Sequence, residues 1–271
     1  MSNSILTAQL CGITFQGNTH NKLQQDAFFF VENCYQKALG ITAVKCCDNA
    51  FCVAVADGVS QSPLSGFASK IAVQSVKKLW QDYLDQPSQS PIMAMQTIYQ
   101  MVATAPRRYY GAMTTLALLY RKINDNQIVI KHIGDSRVYL YRQGQWQCLT
   151  KDHNFLNEWL TEQAQQGNEI QDTQQEHASV YHTLTDYLTI DADLDSNPMP
   201  KYDSQILSVQ SDDCLLVCSD GVYDLVPCGQ WQAINKYTDL QAWLKQLRLQ
   251  IYQSEGKAYD NATAVVIRFN H

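Results

Sequence analysis

The sequence predicts an α+β fold in which antiparallel sheets pack face to face and helices cover their outer faces. Three observations predict it. Short apolar, β-branched and aromatic runs dominate the chain, turn-forming residues join several of them as hairpins, and helical periodicity is confined to three segments.

Taken in order, Ala27 to Val31 is the first strand-like run, and Asp26 precedes it. Ala50 to Ala56 is a continuous apolar run, as expected of a buried strand. Ser65 to Leu84 then places Ala68, Ile71, Ala72, Val76, Leu79 and Tyr83 on one helical stripe. A shorter helix, Ile92 to Thr104, ends before Pro106. Met113 to Tyr120, Gln127 to Ile133 and Arg137 to Tyr141 are strand-like, the first two joined by the turn Asn124-Asp125-Asn126. Gln143-Gly144-Gln145 leads into Trp146 to Leu149 as a second hairpin. Cys214 to Cys218 and Ala262 to Phe269 complete the strands. Between them, Leu240 to Tyr252 aligns Leu240, Trp243, Leu244, Leu247 and Ile251 on a third helical face. With no repeat and no long linker, the chain reads as a single domain over residues 1–271.

Composition narrows the function. A net charge of −6 argues against a nucleic-acid binder, and no apolar run approaches the roughly 20 residues of a membrane span. Without a basic and apolar leader, the expectation is a cytoplasmic protein. The nine cysteines lack the Cys-x-x-Cys pairing of a zinc site and read as reduced thiols, several inside apolar runs. The five tryptophans read as core anchors, and His132 as structural. His153 reads as a turn or helix-entry residue. Tyr109-Tyr110 beside Arg107-Arg108 could touch a substrate or partner.

Five aspartates share one placement. Asp57-Gly58 ends the run Phe51 to Ala56, Asp135 lies between two strands, and Ser219-Asp220-Gly221 ends Cys214 to Cys218. Asp260-Asn261 precedes the last strand, and Asp26 the first. One Asp-Gly alone would be turn chemistry. Several carboxylates converging on one sheet edge repel one another unless a cation compensates, so the set implies bound metal. Ligation by carboxylates alone selects Mg²⁺ or Mn²⁺ over zinc, and Gly58 lets its carbonyl approach an ion closely.

The motifs in their order resemble the PPM-type, or type 2C, metal-dependent serine/threonine protein phosphatases across nearly the whole chain. They are Gln25-Asp26-Ala27, Ala56-Asp57-Gly58-Val59, Gly111-Ala112-Met113-Thr114-Thr115-Leu116, and the most specific, His132 to Leu140 followed by Leu149-Thr150-Lys151-Asp152-His153. Leu216 to Val222 and Asp260-Asn261-Ala262-Thr263 close the series. The resemblance implies a four-layered α-β-β-α sandwich, two central antiparallel sheets flanked by helix pairs. It implies hydrolysis of phosphoserine or phosphothreonine on proteins by a metal-bridging hydroxide, with Asp57, Asp220 and Asp260 catalytic. Asp26, Asp57, Gly58, Asp220 and Asp260 would form the shell of two core Mn²⁺ or Mg²⁺ ions, and Asp135 would hold a third, weaker one. The partners implied are a phosphoprotein substrate and a cognate Ser/Thr kinase.

Three departures qualify the match. The first motif, Gly17 to Asp26, lacks the family's phosphate-gripping arginine, which leaves His20 and Lys22 as candidates to bind the substrate phosphate, as in a bacterial branch with histidine and Gln-Asp. Gln25 replaces the usual glutamate. Ser60-Gln61-Ser62-Pro63 replaces the glycines that follow the central Asp-Gly, and Val59 stands where some members place a histidine. The missing arginine motivates an alternative, a phosphatase-fold binding or regulatory protein with little catalysis; another is a phosphatase of small phosphoesters. The polar segment Asn154 to His182, with a helix around Phe155 to Gln163, is expected to border the cleft as a mobile flap.

Overall fold

Strands that are apolar on both faces must be covered on both, and the chain meets that demand with two sheets and two outer helical layers. The computed structural model describes residues 5–18, 23–87, 93–167, 179–191, 198–254 and 259–270. The chain begins with β1 (Thr7–Phe15), β2 (Ala27–Phe30), β3 (Asn33–Tyr35), β4 (Gly40–Ile41), β5 (Lys45–Cys47) and β6 (Phe51–Ala56), then α1 (Ser65–Asp85) and α2 (Met95–Ala103). β7 (Met113–Thr114), β8 (Leu116–Arg121), β9 (Gln127–Ile133), β10 (Arg137–Arg142) and β11 (Gln145–Cys148) follow, then α3 (Phe155–Gln165) and β12 (Leu188–Thr189). Last come β13 (Asp203–Ser208), β14 (Cys214–Cys218), α4 (Asp220–Tyr223), α5 (Leu240–Tyr252) and β15 (Ala262–Asn270).

One sheet has the order β11-β10-β14-β15-β1-β4, with β5 also on β1; the other has the order β13-β9-β8-β6-β2-β3. All pairings are antiparallel. The inner faces meet in a core that includes Phe28, Phe51, Val53, Leu119, Ile130, Leu215, Val265 and Phe269. Outside the second sheet, α1 and α2 pack Ala72, Val76, Trp80, Ile98 and Val102 onto Phe29, Cys52 and Leu118. Outside the first, α5 lays Leu240, Trp243, Leu244 and Leu247 on Cys214, Leu216 and Val266. The outer layers are unequal: among the described residues, α5 is joined there by the four-residue α4 and short 3-10 turns.

Four elements differ from the sequence expectation. Met113 to Tyr120 is not one strand: it breaks at Thr115, and β7 leaves the main sheet to pair with β12. Thr114 and Thr115 are turned towards Asp57, whose carbonyl oxygen accepts from Thr114 Oγ1 at 2.7 Å and Thr115 N at 2.9 Å. β1, an interior strand between β15 and the edge pair β4 and β5, and the exposed edge strand β13 have no counterpart in the sequence expectation. The second helix begins at Met95, residues 88–92 being outside the described set.

Candidate active site

Antiparallel register decides where the aspartates meet. Ala27 pairs with Ala56, and Leu116 with Ile133, so the start of β2 and the ends of β6 and β9 lie on one edge of the second sheet. Cys218 pairs with both Arg137 and Ala264, and Phe15 with Ala262, which puts the end of β14 and the start of β15 on one edge of the first. A hydrogen bond joins the two edges: Ser219 Oγ donates to Asp26 Oδ2 at 2.7 Å. Asp26, Asp57, Asp135, Asp220 and Asp260 are thereby brought together. Ser60 Oγ donates to Asp260 Oδ2 at 3.5 Å, which ties Asp260 to the loop after Asp57.

The backbone there is tightly constrained. Asp57 N donates to Thr115 Oγ1 at 3.1 Å, and the Thr115 and Ser136 hydroxyls bond each other at 2.7 Å. A side chain at Gly58 would lie 2.9 Å from Ser65 and 3.0 Å from Gln25 O, and one at Gly221 only 2.1 Å from Asn261 O. Both positions therefore demand glycine. The Gln25 amide donates to Ser65 Oγ at the start of α1, so the residue that stands for a glutamate ties helix to sheet.

The electrostatics are those of crowded, buried acids. Burial pushes the Asp57 carboxyl well above its usual range, and Asp220 and Asp26 add repulsion. Burial raises Asp26 to about 7, against the Ser219 hydroxyl bond. Burial likewise raises Asp220, with Asp260 adding to it, and raises Asp135, with Asp220 and Asp152 adding to it. Asp26 Oδ1 and Asp220 Oδ1 are buried without a hydrogen-bond partner, an expensive state for an ionised oxygen. No ion pair among the described residues involves any of the five. The donor set is all oxygen, so the residues present fit hard divalent cations.

The cleft above them, about 570 Å³, is lined by Asp57, Gly58, Val59 to Pro63, Thr115, Asp135 and Asp220, with His182 to Leu184 and Tyr187 opposite. His20 and Lys22 lie outside the described residues, as does 168–178 of the expected flap. The described part of that segment forms α3 and the turn Ser179–His182.

A family model, "Protein phosphatase 2C", fits residues 20–262. The chain belongs to the protein phosphatase 2C family. This phosphatase is 27% identical over 233 residues to the protein phosphatase PhpP of Streptococcus pneumoniae, covering 80% of this chain and 85% of that one. Its fold matches the serine/threonine phosphatase Stp1 of Staphylococcus aureus with a TM-score of 0.70 and 20% identity, over 99% of this chain and 97% of that one. It also matches the catalytic domain of the serine/threonine protein phosphatase PstP in complex with two manganese ions, at TM-score 0.66 and 20% identity, over 98% and 100%.

Several residues that brace the acidic set of this phosphatase have no role in the sequence expectation. Arg137 holds Asp152 bidentately, Nε to Oδ1 at 2.8 Å and NH2 to Oδ2 at 2.6 Å, and its guanidinium lies 3.8 Å from the Tyr223 ring centre. Tyr223 OH donates to Asp135 O at 2.8 Å. Asp224, raised by burial to about 7, lines a second pocket with Arg137, Asp152 and Tyr223, which adjoins the cleft at Asp135 and Asp220. His153, expected as a turn residue, also holds the Asp135 loop: Gly134 N donates to its Nδ1 at 3.2 Å, and its own N donates to Gly134 O at 3.0 Å. Arg137, Asp152 and His153 all stand inside the quoted motifs, and that was the available signal. Asp224 and Tyr223 carried none. Asn261 is a second omission, its side chain accepting from Gly17 N at 3.1 Å and donating to Leu23 O at 3.0 Å.

Proposed function

We propose that this phosphatase hydrolyses phosphoserine and phosphothreonine esters on proteins, with two Mn²⁺ or Mg²⁺ ions held by Asp26, Asp57, Gly58, Asp220 and Asp260, and a weaker third at Asp135. The observation that carries this reading is the pair of buried, unpartnered carboxylate oxygens of Asp26 and Asp220 among acids that no described lysine or arginine ion-pairs. Such cations, when bound, supply Lewis-acid activation of water and neutralise charge on the phosphoryl group. The chain's own part is placement. Thr114 and Thr115 fix the Asp57 backbone, Ser219 orients Asp26, and the Gly58 backbone is left open by the lack of a side chain. Asp57, repelled by Asp220, Asp26 and Asp135 alike, suits a ligand shared by both ions.

His20 and Lys22 remain the proposed grips on the substrate phosphate. We further read the chain as one domain over residues 1–271, acting in the cytoplasm opposite a Ser/Thr kinase in signalling. No helix among the described residues is long and apolar enough to cross a membrane. Rates on a phosphothreonine peptide and on p-nitrophenyl phosphate, with Mn²⁺ and with excess chelator, test the proposal. Manganese-dependent turnover favouring the peptide supports it. Turnover of the aryl ester alone would make this a small-phosphoester enzyme, and none at all a binding protein.

A further inference from the structure

The chemistry above makes no use of Leu64, Phe67 or Arg107 to Tyr110, yet these residues form one surface at the rim of the cleft. The lip Val59 to Pro63 runs directly into Leu64. Leu64 precedes α1 with φ 53°, in the left-handed region, and the residue is 52% exposed. That conformation costs a residue with a Cβ about 1–2 kcal/mol, and here it holds a large apolar group out in water. Local strain of this kind persists where a fold overdetermines it, and it collects at ligand clamps.

One turn along α1, the partly exposed Phe67 stacks on Tyr109, ring centres 4.1 Å apart. Arg108 lies 4.8 Å from the Tyr109 ring centre. The chain after Tyr110 returns to the lip: a Cβ on Gly111 would sit 3.5 Å from Pro63 Cγ. Arg107 and Arg108 are exposed, and neither is ion-paired to a described residue. Adjacent unpaired arginines stand out in a chain of net charge −6 beside a cleft of aspartates. A phosphopeptide with acidic flanks would be repelled by most of this molecule and attracted here. Exposed aromatic and arginine side chains together are also the composition of an interface hot spot.

We propose that this rim docks the substrate chain beside its phosphorylated residue, taking acidic side chains against Arg107 and Arg108 and an apolar one against Leu64 and the Phe67–Tyr109 stack. The proposal rests on the protein-phosphatase reading and adds a substrate class to it: phosphosites with acidic and apolar neighbours. The test uses three substrates with the Mn²⁺-loaded protein: a phosphothreonine peptide with acidic and leucine flanks, the same peptide with alanine and serine flanks, and p-nitrophenyl phosphate.

The expected result is a wild-type preference for the acidic peptide that collapses in Arg107→Glu/Arg108→Glu. KM for that peptide should rise about tenfold, as for losing two charge contacts, while the aryl phosphate and the melting temperature do not change. Leu64→Gly suits the left-handed backbone, so it should raise the same KM without lowering the melting temperature. Equal wild-type kinetics on the two peptides, or charge-reversal losses that are equal on peptide and aryl phosphate, would overturn the docking surface while leaving the phosphatase standing. Inactivity of the wild type on all three substrates would instead overturn the reading beneath it.

Discussion

On the floor of the cleft, Asp26, Asp57 and Asp220 sit at strand ends with no cationic side chain paired to them, whereas on the Asp135 flank Asp152 is held at 2.6 Å by Arg137. The floor is positioned by neutral groups: the Thr114 and Thr115 hydroxyls and the Ser219 hydroxyl. The flank is positioned by a charge, and that charge also eases the acids around it, since Arg137 lowers the pKa of Asp220 and Asp224. The threonines hold the Asp57 backbone and Ser219 donates to the Asp26 carboxylate, and none of these neutral groups neutralises an acid. On the proposed reading a bound cation balances most of the floor's charge, while the flank, and Asp220 beside it, take part of their compensation from Arg137.

The largest effect that tests this contrast is at Asp57. Asp57→Asn keeps the shape but removes the charge expected to be shared by both ions, and turnover of a phosphothreonine peptide should fall about 10³-fold, a loss of several kcal/mol. Excess chelator should do the same to the wild type. Full activity in either case would refute the two-ion floor.

Next comes Asp135. Asp135→Ala should retain two tightly bound Mn²⁺ per chain by metal analysis and lose about 10- to 100-fold in activity, the range typical of groups that support a metal site. If it loses both core ions as well, floor and flank are one site and the contrast fails.

The floor was far more legible in the sequence than the flank, for a physical reason. Asp57, Asp220 and Asp26 adjoin runs such as Phe51 to Ala56 that announce themselves as buried strands, so their position at a strand end could be read directly. The flank is assembled from residues distant in sequence: Asp152 reaches Arg137 across a hairpin, and Tyr223 reaches Asp135 across 88 positions. Arg137 and Asp152 stand inside motifs without their contact being readable from them, and Tyr223 stands in none. β1 escaped notice because Thr7, Gln9 and Gly12 interrupt its apolar run, although Gly12 is needed where a Cβ would lie 3.0 Å from the Phe28 ring. β13 escaped because an exposed edge strand has no core face to display.

A smaller effect follows from the ion pair. Asp152→Asn leaves Arg137 facing an uncharged partner in a partly buried setting and should lower stability by about 1.5–3 kcal/mol, the range for hydrogen bonds to charged groups. Thermal unfolding in saturating Mn²⁺ measures it. An unchanged melting temperature would show that the flank owes its order to a cation as well.

The smallest effect is a pH dependence. An aspartate ionises near 3.8 in the unfolded chain, whereas burial keeps Asp26 and Asp224 protonated up to about 7 in the metal-free fold. Between those values the folded state binds more protons, so these groups make stability fall as pH rises; below 3.8 both states are protonated and the groups contribute nothing. His132 acts in the opposite sense, because burial lowers its pKa below 6.5 and the unfolded chain then binds the extra proton. The difference between wild type and Asp224→Asn cancels that histidine. Measured in chelator, it should shift by a few degrees between pH 5 and 7.5, with the variant gaining on the wild type as pH rises; about 1 kcal/mol moves a chain of this size by 2–4 °C. Mn²⁺ must displace protons to bind, so its stabilisation should grow over the same interval. The floor and flank then separate: Asp224→Asn should keep most of the Mn²⁺-induced rise in melting temperature, and Asp26→Asn should lose most of it. Equal losses in the two variants would place Asp224 on the floor.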